Sequence, residues 1–253
     1  MTTKNILITG ASSGIGEALA IYYAKQPNTQ NLFICGRNRE RLNNVKEKCE
    51  KFGHVNVHAK VLDVSDKDAT RKWIHDSEKT AHLNLVLANA GVWTIEETPE
   101  NVHTTFNINV MGVVNTVVPI IEIYKKRADE DKILAVTSSI AWYHWLPTCP
   151  SYSATKACIK AYWEALRVSL LPYNIQVNTI CPWFVHSSIT DKNSYFMPFI
   201  MKPERAAKLI ADGIKRNVWL ITFPFILHFV SRLISILPNC ISQFIYRCLP
   251  NKA

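Results

Sequence analysis

Apolar residues fall along this chain in short runs, separated by longer stretches where they recur every three or four positions. The runs Lys4 to Thr9, Asn31 to Cys35, Asn56 to Leu62, Leu83 to Leu87, Ile133 to Ser138 and Ile175 to Ile180 read as strands. Between them the period lengthens to that of helices. One helix opens at the glycines after Thr9 and runs to about Lys25, one spans about Pro99 to Arg127, and one starts at Pro203 and ends near Arg216. Ser65 or Asp66 suits the N-cap of another. Strands alternating with helices over the first 140 residues predict an α/β fold with a doubly wound parallel sheet. Val218 to Thr222 reads as its last strand.

Beyond Thr222 the pattern changes. From Phe225 the polar positions are His228, Ser231, Arg232 and Ser235, one face of a helix by spacing. Phe225, Ile226, Leu227, Phe229, Val230, Leu233, Ile234, Ile236 and Leu237 surround that face. Pro238 breaks the run, and Ile241, Phe244, Ile245 and Cys248 then make a second apolar stripe beside Gln243 and Arg247. A spanning helix needs about 20 predominantly apolar residues, and the histidine and arginine argue against spanning. An amphipathic helix lying in a membrane interface fits 223–248 better. A subunit contact and a cap over a substrate cleft are the competing readings. The chain therefore divides into a main domain, 1–222, and a hydrophobic, amphipathic C-terminal tail, 223–253.

At 253 residues and 48% hydrophobic, the chain can bury one large core and is not disordered. Seven scattered cysteines, with no paired spacing and no His/Cys cluster, argue against a structural metal and suit a reducing, cytoplasmic compartment. With the tail, the expected location is the cytoplasm, peripheral on the inner face of a membrane. Net charge is +9, but much of it sits in mixed runs such as Arg37 to Arg41 and Lys46 to Lys51, which read as solvated helix faces. Nucleic acid is therefore not an expected partner. Ile6 to Ile8 is too short for a signal peptide and leads straight into a glycine turn, so the chain reads as beginning at its first strand.

The chemistry concentrates at Tyr152 and Lys156, four residues apart and so on one helix face. A phenol with a pKa near ~10 is a poor acid-base catalyst at neutral pH, and a neighbouring ammonium favours the phenolate. The pair suits a hydroxyl/carbonyl interconversion. Ser139, thirteen residues before Tyr152, closes a strand-like run from which it can reach a substrate oxygen. Taken alone, the tyrosine-lysine spacing also describes an ordinary helix surface. The cofactor signal lies upstream. Gly10, Ser12, Ser13, Gly14, Ile15 and Gly16 form a glycine-rich turn between strand and helix, where backbone can approach a phosphate seated on the helix N-terminus. The second strand ends in Gly36-Arg37 with no acidic residue, and a guanidinium there can take a phosphate bidentately.

Together these motifs resemble the short-chain dehydrogenase/reductase family, over about the first 215 residues. The resemblance implies a Rossmann fold binding NADP(H), with Arg37 and Ser12 at the 2′-phosphate. It implies adenine contacts at Asp63 and Val64, and cofactor contacts at Asn89, Ala90 and Gly91, although Ala88 replaces the family's first asparagine there. It assigns Tyr152 as proton donor, Lys156 as the tyrosine's activator and nicotinamide-ribose ligand, Ser139 as the orienter of the substrate oxygen, and Asn109 as the asparagine that interrupts its helix and holds a relay water. Ser138 is the nearest rival to Ser139. Pro182, Val185 and Ser187 stand where the family meets the nicotinamide, but Trp183 replaces the glycine usual after the proline. Trp93, Trp142, Tyr143, His144, Trp145, Trp183, Phe184 and His186 fall in the substrate-facing loops and imply an apolar, bulky alcohol or ketone, with 187–201 as a lid. The same rings could instead pack on one another. A homodimer or homotetramer built on the helices around 99–127 and 150–172 is implied, with no metal. The expected function is an NADPH-dependent oxidoreductase; a catalytically silent NADP(H) sensor or scaffold, or an isomerase or epimerase on the same fold, are the alternatives.

Overall fold

The computed structural model describes residues 4–94, 96–128, 131–143, 149–187, 190, 199–237 and 241. Seven strands form: β1 (Lys4–Ile8), β2 (Thr29–Gly36), β3 (Asn56–Val61), β4 (Leu85–Ala88), β5 (Ile133–Thr137), β6 (Gln176–Pro182) and β7 (Leu220–Phe223). The helices are α1 (Gly14–Ala24), α2 (Arg39–Glu50), α3 (Lys67–Thr80), α4 (Pro99–Phe106), α5 (Gly112–Tyr124), α6 (Pro150–Ser169), α7 (Pro203–Lys215) and α8 (Phe225–Ile236). All strands pair in parallel, in the order β3-β2-β1-β4-β5-β6-β7. A parallel sheet needs helical crossovers on its faces, so its inner strands are buried on both sides and read as continuous apolar runs, while the edge strand β3 is largely exposed. Within β1, Ile6 and Ile8 enter the core beneath α1, α2 and α7, while Leu7 enters the core beneath α3, α5 and α6.

The strand order reverses between β1 and β4. That reversal opens a crevice at the carboxyl ends of the strands, the usual place for a ligand in this architecture. The turns after β1 and after β4 both face it. Local capping follows from sequence: Asn38 accepts from Arg41 N, Asp66 from Ala69 N and Thr98 from Asn101 N, starting α2, α3 and α4. Lys132, buried, donates to the carbonyls of Tyr124 (3.3 Å), Arg127 (2.9 Å) and Tyr173 (2.6 Å), closing the C-terminus of α5 with a cation.

The helix expected over 99–127 is interrupted at Asn109, as the resemblance implies: Asn107–Met111 forms a π turn between α4 and α5, inserted where Asn109 bonds away from its own helix. The tail helix α8 does form, packing on β7 and on the 3₁₀ turn Ile140–Tyr143. Its polar face is split: His228 and Ser231 are buried against the domain and Arg232 and Ser235 are exposed, while Phe225 (72% exposed), Ile226, Phe229, Val230, Leu233 and Ile236 (72%) face outward. Periodicity defines a face but not its direction. The second stripe of the tail lies outside the described residues, apart from Ile241, which is exposed. At 99–124 the one described run long and apolar enough to cross a membrane is the domain's own core helix, interrupted by the π turn.

Candidate active site

The crevice floor is built by hydrogen bonds among the strand ends. Thr9 Oγ1 accepts from Asn89 N (3.0 Å) and Ala90 N (3.1 Å). The Asn89 amide donates to Thr9 O (3.2 Å) and Gly10 O (3.4 Å), while its oxygen accepts from Thr137 Oγ1 (3.0 Å). One side chain thus ties the ends of β1, β4 and β5 together. Both ends of the Asn89 amide are committed to protein, so cofactor contacts at 89–91 fall to backbone. Ala88, at the departure from the family pattern, pairs with Val136 and is buried among apolar neighbours.

Above this floor lies the glycine turn. Gly14 adopts φ +58, and a Cβ on it would stand 2.7 Å from Ser187 Cβ. A Cβ on Gly16 would collide with Gly10 O. Only glycine allows this approach. Ser13 caps α1 without a side-chain hydrogen bond to its first turn, so that turn's N–H groups suit an external anion. Ser12 Oγ lies against Gly36, next to Arg37. Arg37 is exposed, 3.7 Å from Asp63, whose other oxygen accepts from Ser65 N (2.9 Å) and Ser65 Oγ (2.8 Å). Such an exposed pair is worth little, and an incoming phosphate can displace it. The residues therefore fit a dinucleotide. The side chains of Val64 and Val185 are buried and that of half-buried Ile15 packs against the core, which leaves their backbone to face the turn; Val64 packs against Gly112 and gives its carbonyl to Asn115 (3.0 Å).

The reacting groups come from β5 and α6. Lys156 is buried, with Nζ 3.2 Å from Thr137 O and 5.4 Å from the Tyr152 ring centroid. Burial lowers its pKa from the ordinary 10.5 to about 8, and Cys181 nearby acts weakly in the other direction. Burial pushes the Cys181 thiol itself up to about 12. Ser138 and Ser139 part ways: Ser138 is buried and donates to Lys156 O (3.0 Å), whereas Ser139 is half-buried and accepts from Ala141 N (3.1 Å). That leaves the Ser139 hydroxyl proton to donate. Tyr152 is half-buried, beside Trp93 at 6.1 Å between ring centroids.

Asn109, fully buried in the π turn, accepts from Val92 N (2.8 Å) and donates to Val92 O (2.9 Å) and Thr155 Oγ1 (3.2 Å). A Cβ on Gly91 would lie 3.3 Å from Asn109 Oδ1 and 3.4 Å from Lys156 Nζ, so glycine lets these two groups share one small space. The loop after β4 is latched again by Glu97, which accepts from Ser151 N (3.1 Å) and Ser151 Oγ (2.7 Å). Cys149, the N-cap of α6, offers no side-chain cap; Glu97 supplies the acceptor from across the cleft. Glu97, Thr155 and Thr137 were not legible in advance, because their roles depend on partners 46 to 54 residues away in sequence.

At the exit of β6, Trp183 N donates to Phe223 O, extending the pairing of Pro182. The Trp183 ring packs against Ile140 and Cys181, a cluster that Trp142 and Leu220 also border, and meets Phe184 edge-on at 4.9 Å. Val185 bridges Met201, and Ser187 N donates to Thr190 Oγ1 (2.8 Å), setting Ser187 over Gly14. His144 and Trp145 lie outside the described residues, as does most of the expected lid at 187–201.

A short chain dehydrogenase family model matches residues 4–196. An uncharacterized oxidoreductase of Myxococcus xanthus is 34% identical over 246 residues, 94% of each chain. The 11-beta-hydroxysteroid dehydrogenase-like 3 of Arabidopsis thaliana is 32% identical over 225 residues, 85% of this chain and 71% of its own length. Among solved structures, a short-chain dehydrogenase from Sphingobium yanoikuyae in complex with NADPH superposes with a TM-score of 0.80 at 20% identity, covering 99% of this chain and 98% of that one.

Proposed function

This chain belongs to the short-chain dehydrogenase family, and from that premise we propose that it is an NADPH-dependent oxidoreductase interconverting a carbonyl and a secondary alcohol on an apolar, bulky substrate. The observation that carries the reading is the buried Lys156 ammonium, held by Thr137 O beneath Tyr152, with the Ser139 hydroxyl proton left to donate. In the reducing direction, Ser139 donates a hydrogen bond to the carbonyl oxygen and Tyr152 gives that oxygen its proton. The Lys156 charge stabilises the phenolate left behind. When bound, the dinucleotide supplies the hydride. Lys156 also binds the nicotinamide ribose, and the remaining lone pair of Asn109 Oδ1, close to Lys156 Nζ across Gly91, holds the relay water.

Arg37 and Ser12, with no carboxylate at the end of β2, favour NADPH over NADH. Solved relatives of this fold are described with NADPH and with NAD, so the preference rests on these side chains. Trp93 beside Tyr152 and Phe184 beside Trp183 support an apolar substrate, and the plant relative's name makes fused-ring secondary alcohols the first class to try. Phe106, Met111 and Val118 on 99–124, and Val168 on α6, are exposed apolar residues on the helices expected to pair two copies. The free cysteines among the described residues suit a reducing cytoplasm.

The test is consumption of NADPH and NADH with a panel of apolar ketones and the matching alcohols, with Arg37→Ala in parallel. NADPH should be preferred by about tenfold or more, a difference of about 1.4 kcal/mol, and Arg37→Ala should remove most of that preference. Equal use of both dinucleotides would refute the cofactor assignment. Tight NADPH binding with no consumption in either direction would favour a silent sensor.

A further inference from the structure

We propose that α8 docks the protein on the surface of an anionic lipid bilayer, so that the apolar substrate enters the cleft from the membrane. The inference rests on the proposed oxidoreductase reading for its substrate, but not for the docking.

An amphipathic helix packed on a soluble domain buries its apolar face. Here the domain side takes His228 and Ser231, buried, with Leu227 and Ile234, half-buried, while seven apolar residues, Phe225, Ile226, Phe229, Val230, Leu233, Ile236 and Leu237, are exposed. At about 100° per residue, those seven side chains cover an arc of about 140°. Arg232 falls at one border of that arc and is exposed, where its stem can lie along lipid and its guanidinium reach a phosphate. From Phe223 to the end of the chain there are three basic residues, Arg232, Arg247 and Lys252, and no acidic one. The face is apolar with a basic border, complementary to acyl chains beneath anionic headgroups. At 12 residues α8 is too short to cross a bilayer, which takes about 20, and so it lies in the interface.

A second copy fits this face less well. Two-fold pairing sets the same patch against itself, which would place Arg232 near its counterpart with no carboxylate in the tail to pair with either. The exposed apolar residues on 99–124 and α6 offer a separate face for self-association.

The position of α8 supplies the functional half. It packs on the 3₁₀ turn Ile140–Tyr143, which directly follows Ser139. Docking through α8 therefore sets the rim of the cleft at the headgroup level. A substrate dissolved in the bilayer could then enter without crossing bulk water.

The full-length protein should co-sediment with vesicles of phosphatidylcholine plus phosphatidylserine, and less with phosphatidylcholine alone. The double variant Phe229→Gln/Leu233→Gln should lose about a hundredfold in affinity for the mixed vesicles, from two exposed side chains that no longer enter lipid. Arg232→Gln should weaken binding to the mixed vesicles while leaving binding to pure phosphatidylcholine unchanged. With NADPH, the double variant should reduce a water-soluble ketone at the wild-type rate and a vesicle-dissolved ketone more slowly. Equal sedimentation of wild type and double variant would overturn the proposal, as would a wild-type dimer that the double variant converts to monomer. Vesicle binding that follows this pattern without turnover of any carbonyl would uphold the docking and instead count against the oxidoreductase reading.

Discussion

Lys156 should be a residue the fold would be more stable without. Its ammonium is buried, and its pKa stands at about 8 instead of 10.5. A difference of about 2.5 pH units, at about 1.36 kcal/mol each, makes the charged form about 3 kcal/mol less favourable in the folded chain than in water. The bond to Thr137 O, 3.2 Å, offsets about 1 kcal/mol when lost. Lys156→Met keeps most of the stem volume and removes the charge, so the cofactor-free variant should be more stable by about 2 kcal/mol at neutral pH. For a domain of this size that raises Tm by about 4–8 °C. The pH dependence has a definite sign. Below about pH 8 both folded and unfolded chains hold the lysine proton, and the full cost is present. Between about 8 and 10.5 the folded chain releases the proton first, the unfolded chain binds more protons, and wild-type stability rises with pH. The gap between variant and wild type should therefore narrow over that window. Urea denaturation at about pH 7 and about pH 9.5 reads both quantities. Lys132→Met is the control: its ammonium satisfies three backbone carbonyls, so the variant should lose at least about 3 kcal/mol. A Lys156→Met protein less stable than wild type, or a gap that ignores pH, would refute the reasoning.

Ser139→Ala should lower kcat by at least about a hundredfold with little change in stability, whereas Ser138→Ala should retain activity and lose about 1 kcal/mol, because its hydroxyl bonds Lys156 O and the buried Cys181 thiol, away from the substrate; steady-state kinetics and thermal melts separate the two. Glu97→Ala removes the one oxygen that accepts both Ser151 hydrogen bonds and should cost about 1–2 kcal/mol by urea titration, with a fall in kcat larger than any change in KM as Tyr152 loses its fixed start to α6; Glu97→Gln should restore part of it. Gly14→Ala should weaken NADPH binding by about a hundredfold or more in a titration, because the new Cβ meets Ser187.

Much of the fold was legible because a sheet buried on both faces writes itself as apolar runs. Six of those runs became β1 to β6 within a few residues, and Val218 to Thr222 overlaps β7. The glycine turn, Arg37 and the Ser139-Tyr152-Lys156 spacing were legible because they are local. What depended on distant partners was not. The pattern of 99–127 is helical throughout; the break at Asn109 was implied by the resemblance alone, and the bonds of Asn109 to Val92 and Thr155 supply its physical cause. Asn89 reads as a cofactor contact by position, yet its amide is spent on Thr9, Gly10 and Thr137. Trp183 replaces a glycine by sequence, and only the structure shows its ring set against Ile140 and Cys181. The direction of α8 depended on what β7 and the turn after Ser139 present to it, which periodicity does not carry.

The central claim is that hydride passes from the dinucleotide to an apolar carbonyl while Tyr152 supplies the proton. The direct measurement is deuterium transfer: wild-type protein and Tyr152→Phe are each incubated with NADPH carrying deuterium at both nicotinamide C4 positions, and the alcohol product is examined by mass spectrometry. Wild type should give alcohol carrying one deuterium on the former carbonyl carbon, and Tyr152→Phe should give at least about a hundredfold less. Deuterated alcohol formed equally by both proteins would contradict the role of Tyr152, and none from wild type with any carbonyl would contradict the reaction itself.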